Sequence, residues 1–180
     1  YGRKVSAWSD DAGETTYRYD VLGRLILVQT EVQSANSTDN KSGTRYFYDD
    51  MGRMTSRAED DLLSTWVYGT VTGQKGLLIK AAADNGFIRD YGYDAYGRPT
   101  TVTTRKNIDP DAQSGDPNFV HTVSYDTAGR TDKVTYPTGV SYKNIYDGIG
   151  NLWQVRDGNT SAMLWKARAR DSDNNLTREE

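Results

Sequence analysis

Cysteine is absent from the 180 residues, and histidine occurs once. Without thiols there is no disulfide framework, no redox thiol and no thiolate metal site. His121 stands alone on a predicted strand, with no nucleophile or acid partner marked at catalytic spacing, so nothing in the sequence points to acid–base or nucleophilic chemistry. Phenylalanine occurs 3 times, hydrophobic residues make up 36%, and the mean hydropathy is −0.79. That is lean for a thick two-layer core and suits a sheet with water on one or both faces. No stretch approaches the ~20 apolar residues of a membrane helix. The net charge of −3 gives no electrostatic footprint for nucleic acid.

What the chain does have is tyrosine, 13 of them, and a short phrase that it repeats. Tyr19-Asp20-x-x-Gly23-Arg24 recurs as Tyr48-Asp49-x-x-Gly52-Arg53, Tyr93-Asp94-x-x-Gly97-Arg98 and Tyr125-Asp126-x-x-Gly129-Arg130. A fifth copy, Tyr146-Asp147-x-x-Gly150, carries Asn151 in the Arg slot. Chance would give Y-D-x-x-G about 0.02 times in a chain of this size. Five copies identify a repeat protein.

Each copy reads as a β-hairpin turn. Asp accepts hydrogen bonds from backbone N–H groups two or three residues on, which favours the first turn position. Gly three residues later supplies the positive φ that closes a type I turn with a bulge. Tyr ends the incoming strand and Arg opens the outgoing one. Two residues before each motif Tyr stand Tyr17, Tyr46, Tyr91, Val123 and Asn144, and period-2 spacing puts each on the face of its motif Tyr.

Between the turns the sequence predicts strands. Gly2 to Trp8 is a returning strand. Leu25 to Val28, the most apolar, is expected to be buried on both faces. Gln33 to Gly43 and Arg105 to Asn118 are polar and read as exposed loops, near 31–44 and 105–119. Thr65 to Tyr68 leads to a worn copy with Gly69 in the Asp slot and a longer turn through Gly76. Asp171 to Leu176 is another worn copy, with Asn174 in the Gly slot, where Asn tolerates positive φ best among the remaining residues. Leu77 to Ala82 reads as the strand leaving the Gly69-to-Gly76 turn; helical periodicity is weak throughout, with Lys80 to Ala83 the only helix-like patch. Tyr1-Gly2-Arg3 matches the back half of the motif, so residues 1–180 read as one array of about seven to eight hairpin units, incomplete at both ends and prone to edge-to-edge self-association.

These residues strongly resemble the Rhs/YD-repeat family, whose defining unit is Tyr-Asp followed by Gly-Arg, and the resemblance covers essentially the whole chain. It implies an all-β, single-layer antiparallel strip of hairpins that spirals into a hollow shell around the C-terminal toxin of a bacterial polymorphic toxin or insecticidal toxin complex. It further implies a secreted or cell-surface bacterial protein whose partners are the remaining repeats and the enclosed toxin. More distantly it implies a teneurin-like barrel. Shell-forming members end in an autoproteolytic segment around Asp-Pro-x-Gly. Asp109-Pro110-Asp111 and Asp116-Pro117-Asn118 lack its Gly, so no protease function is carried over.

Two function classes follow, neither enzymatic and neither needing a cofactor or metal: a shell wall, or a carbohydrate or cell-surface binding module using Trp8, Trp66, Trp153 and Trp165. Asp109-x-Asp111-x-Gln113 resembles a calcium loop in part, with its Gly one place late and Val120 in place of the closing Glu; a solvated loop is the better reading.

Overall fold

The computed structural model describes residues 2–11, 13–36, 42–106 and 118–180. The chain forms a 15-stranded antiparallel sheet in which every strand neighbours its predecessor in sequence. The first strands are β1 (Ser6–Ser9), β2 (Gly13–Tyr19) and β3 (Leu25–Thr30), followed by helix α1 (Glu31–Asn36). Next come β4 (Thr44–Tyr48), β5 (Met54–Ala58), β6 (Leu63–Tyr68), β7 (Leu78–Ala83) and β8 (Phe87–Tyr93). The remaining strands are β9 (Pro99–Lys106), β10 (Phe119–Tyr125), β11 (Thr131–Thr135), β12 (Ser141–Tyr146), β13 (Leu152–Asp157), β14 (Met163–Arg170) and β15 (Leu176–Glu179). The described residues cluster into two compact units: 2–70, 75–88 and Lys106 in one, and 71–74, 89–105 and 118–180 in the other.

Both units follow one local rule. The motif residues form the turns between β2 and β3, β4 and β5, β8 and β9, β10 and β11, and β12 and β13. In the first of them, Gly23 N–H donates to the Asp20 carbonyl and Asp20 N–H to the Arg24 carbonyl, both at 2.9 Å. The other four repeat this pair of bonds. Where the pairing is described, the register slips by one residue next to the motif Tyr, as between Arg18 and Tyr19 and between Ser124 and Tyr125. That is the bulge expected of a type I turn closed by a left-handed Gly. Since strands alternate in direction, the motif turns within each unit lie along one edge of the sheet.

The packing is thin. Among the described residues, Leu27 and Val134 are the buried apolar side chains, against buried polar Gln29, Ser64, Ser141 and Gln154. Register shows what covers the faces. In the first unit, Tyr46 pairs with Arg57 and Trp66 with Ala81, on the face of Tyr48 and Tyr68. Leu27, paired with Arg45 and Arg18, lies on the opposite face with Phe47 and Val67. In the second unit, Val134 lies between Val123 and Tyr142 on the face of Tyr125 and Tyr146. Cross-strand pairs of about 0.2–1 kcal/mol each, with the ladder bonds, take the place of a core.

Two expectations are corrected. The segment from residue 31 begins as α1, because Thr30 and Gln33 form a capping box: Thr30 N–H donates to Gln33 Oε1 at 3.0 Å and Gln33 N–H to Thr30 Oγ1 at 3.4 Å. Leu25 to Val28 is not buried on both faces; Leu27 alone is, and its neighbours are half-covered, as a single sheet allows. The strand read over Leu77 to Ala82 is β7, its helix-like stretch from Lys80 included, with Ala81 and Ala82 paired to Trp66 and Thr65. Residues 37–41 and 107–117, which include Asp109, Asp111 and Asp116, lie outside the described residues.

Candidate functional site

The repeated turn is the chain's most elaborate constellation, and Asp is its hub. Asp20 Oδ1 accepts the N–H of Leu22 at 3.0 Å and of Arg24 at 2.8 Å, while Oδ2 takes Arg24 Nε at 2.6 Å. Asp49, Asp94 and Asp126 hold Arg53, Arg98 and Arg130 in the same way. Burial raises the Asp20, Asp49 and Asp94 carboxyls, but bonds from the backbone and guanidinium of the motif Arg outweigh it and leave each below its ordinary 3.8. At Asp126 the Arg130 backbone N–H is the largest influence, and the carboxyl is again lowered.

An Arg fixed in this way reaches forward to the following repeat. Arg24 Cζ lies 4.9 Å from the Tyr48 ring centroid, and Arg53 lies 4.3 Å from Tyr68. In the second unit, Arg98 lies 4.3 Å from Tyr125 and Arg130 4.2 Å from Tyr146. Arg3 of the opening partial copy lies 5.6 Å from Tyr19. These are cation–π distances.

The Tyr hydroxyl answers by reaching backward. Tyr48 donates to the carbonyl of Leu25 at 2.8 Å, Tyr68 to Met54 at 3.0 Å, Tyr125 to Pro99 at 2.8 Å and Tyr146 to Thr131 at 2.8 Å. Tyr19 donates to Lys4. In every case the acceptor directly follows the preceding motif's Arg. Each of these Tyr therefore stacks under one Arg and bonds the next carbonyl, a two-point tie between successive repeats.

Gly has a second task within this tie. A Cβ at Gly129 would lie 3.1 Å from Arg98 Nη1, and one at Gly150 3.4 Å from Arg130 Nη1. The turn sequence predicts the positive φ; only the packing of successive repeats exposes the room that the preceding Arg needs.

Worn copies keep the geometry with other atoms. Gly69 N–H donates to Leu77 O and Gly76 N–H to Gly69 O, each at 2.8 Å, around a longer insert. Tyr136 to Val140 makes the same two bonds with Tyr136 in the Asp slot. In the last copy Asn174 takes a φ of 69° and Asp171 accepts from Asp173 and Asn175. Arg170 occupies its Tyr slot, and Nη2 donates to the Leu152 carbonyl at 3.0 Å, the bond a Tyr hydroxyl makes elsewhere. Asn151, in the Arg slot, exchanges two amide bonds with Asn174, at 3.0 and 2.7 Å.

The other marked residues lie apart from this constellation. His121 meets the Tyr136 ring edge-on at 5.5 Å, and Tyr136 meets Tyr142 at 6.2 Å. Trp8 is 70% exposed and Trp153 41%, while Trp66 and Trp165 are half-buried. Register puts Trp8 beside Glu14, on the face opposite Tyr17 and Trp66, so the tryptophans of the first unit do not share one face. Asp60, which no motif marks in the sequence, also has a fixed role. It accepts Gly43 N–H at 2.7 Å and Gln33 Nε2 at 2.9 Å, tying α1 to the β5–β6 turn, and these bonds hold its carboxyl low. Among the described residues no three His, Cys, Asp or Glu come together in a way that could hold a metal ion. No helix is long and apolar enough to cross a membrane.

No protein-family model matches the chain, and no curated protein does. Solved structures match along its whole length. A chain of the Photorhabdus luminescens Tc holotoxin pore superposes with a TM-score of 0.70 over 99% of this chain, at 17% identity. A chain of the TcdB2-TccC3-TEV crystal structure gives 0.68 over 98%, also at 17%. The chain spans 9% of the length of each. At that identity the likeness is one of fold, and in fold the chain is related to the Tc toxin structures, as the Tyr-Asp-x-x-Gly-Arg copies of an Rhs/YD-repeat protein lead one to expect.

Proposed function

We propose that this chain is a wall segment of an Rhs/YD-repeat shell that encapsulates a toxin or effector domain for secretion and delivery by a bacterium. The forward tie carries the reading: motif Arg and motif Tyr join successive repeats, Arg by stacking on the next Tyr and Tyr by bonding back to the preceding strand, which is the requirement of a continuous strip. The thin packing supports it, since a wall needs water on its outer side and a filled or wet lumen on its inner side. Likeness of fold to Tc toxin chains supports it further. In this reading the nineteen motif residues, Tyr19 through Gly150, are structural, and the wall performs no catalysis.

The experiment uses the full reading frame that carries residues 1–180. Purified product is treated with trypsin, and survival of its C-terminal domain is followed against that domain expressed alone. The expected result is protection, with faster digestion after Arg98→Ala with Arg130→Ala. Equal digestion of the enclosed and free domains would overturn the encapsulating role.

A further inference from the structure

The face of the second unit opposite the motif tyrosines carries a charge pattern that the repeats do not require. Register sets Lys133 of β11 directly opposite Lys143 of β12, and Lys143 directly opposite Arg156 of β13. Neighbouring strands lie about 4.8 Å apart, so the three cations stand in one row about 10 Å long. Like charges facing each other across strands destabilise a sheet, and little nearby offsets them. Asp132 reaches Lys143 at 3.7 Å, the row's one ion pair among the described residues. Lys133 Nζ donates to the Gly158 carbonyl at 2.8 Å, and Arg156 Nε to the Gln154 amide oxygen at 2.8 Å. Asp157, which feels Lys133, is held in its own turn by the N–H groups of Asn159 and Thr160. Elsewhere in this unit Arg98, Arg130 and Arg168 each have a carboxylate of their own. Hydroxyls border the row: Ser124 pairs with Lys133, and Thr135 lies two residues from it on the same face. The Lys143 side chain, at the centre, is 49% exposed.

We infer that this row docks an acidic segment of polypeptide. In an extended segment alternate side chains project to one side about 6.6 Å apart, so two or three Asp or Glu residues reach all three cations. A carboxylate meets the Nη end of Arg156 in two parallel bonds and each ammonium as a point charge. The Ser124 and Thr135 hydroxyls donate to the oxygens left over. Nucleic acid is the poorer complement: it binds through many phosphate contacts, and beyond this row its charge meets a chain of net charge −3. An anionic membrane is drawn by clusters of about 4–8 basic residues, more than the row supplies. The docking does not depend on the wall reading.

The test titrates the ¹⁵N-labelled chain with a hexaglutamate peptide at about 20 mM salt, where charges are weakly screened. Hexaglutamine, a short thymidine oligonucleotide and phosphatidylserine vesicles are the comparison probes. Hexaglutamate is expected to give saturable shifts centred on β11 to β13, hexaglutamine none, and the other two weaker binding. Lys143→Gln with Arg156→Gln is expected to lower the hexaglutamate affinity more than tenfold, with unchanged circular dichroism. Lys75→Gln with Lys80→Gln removes the same charge from the first unit and should leave the affinity within twofold. The wild-type shift map tests the row independently if the first double variant does not fold. Absence of saturable shifts with hexaglutamate, shifts confined to residues outside β10 to β13, tighter binding of the oligonucleotide or the vesicles, or equal losses in the two double variants would each overturn the inference.

Discussion

Alanine at Gly129 and alanine at Gly139 isolate the space that one repeat leaves for the Arg of its predecessor. The two glycines have φ values of 82° and 83°, and each donates its turn hydrogen bond at 2.9 Å. Both substitutions carry the left-handed penalty of about 1–2 kcal/mol for an L-residue. They differ in what the new methyl meets: nothing within 4 Å at Gly139, but Arg98 Nη1 at 3.1 Å at Gly129. Arg98 is anchored to Asp94 at 2.6 Å and lies 4.3 Å over the Tyr125 ring, so any shift away from the new methyl weakens its contact with that ring. A cation–π contact is worth about 0.5–1 kcal/mol, and Gly129→Ala should be costlier than Gly139→Ala by up to about that amount. Gly52, a motif glycine at φ 79° with nothing within 4 Å, serves as the control and should behave like Gly139. Urea denaturation followed by both fluorescence and circular dichroism measures the differences, with coincident transitions as the condition for comparing free energies. Repeating Gly129→Ala in an Arg98→Ala background should erase the excess. If the three alanine variants are equally destabilised, or the excess survives without Arg98, the tie between repeats is not what the glycine accommodates.

Three further outcomes test the same geometry. Tyr146→Phe removes the bond to the Thr131 carbonyl and should destabilise by about 0.5–1.5 kcal/mol, whereas Tyr96→Phe, at an 85% exposed turn position, should stay within about 0.5; equal effects would argue against the backward bond. Asn151→Arg alone should lower the melting temperature, since it breaks the Asn151–Asn174 amide pair and brings a second guanidinium near Arg170. Adding Arg170→Tyr restores the consensus pair and should raise it again, and simple additivity in calorimetry would refute the slot assignment. The motif carboxyls are lower in the folded chain than their ordinary 3.8, so their contribution is complete above about pH 4 and is lost as pH falls through the folded values. Melting temperature should therefore hold between pH 7 and 5 and drop below about 4. A steep loss between pH 6 and 5 would refute the assignment of the acid transition to these carboxyls.

The sequence by itself determined the turns and the sheet. Asp, Gly and the alternation around them act over four to six residues, and local sterics with side-chain-to-backbone bonding settle such units without help from the rest of the chain. For the same reason Asn174 was legible as a stand-in for Gly, whereas the polar composition from residue 31 hid the Thr30–Gln33 capping box that starts α1. Tertiary structure alone decided which Arg meets which Tyr and where the Tyr hydroxyl bonds. Tyr48 stacks under Arg24, and Tyr125 under Arg98 27 residues before it; the loops between them vary in length, so no fixed sequence spacing announces the partner. The swap of Arg170 into a Tyr slot shows why: the junction requires a donor near the Leu152 carbonyl, and a guanidinium or a phenol supplies it equally. Likewise Lys133, Lys143 and Arg156 stand side by side only because the register of β11, β12 and β13 aligns them.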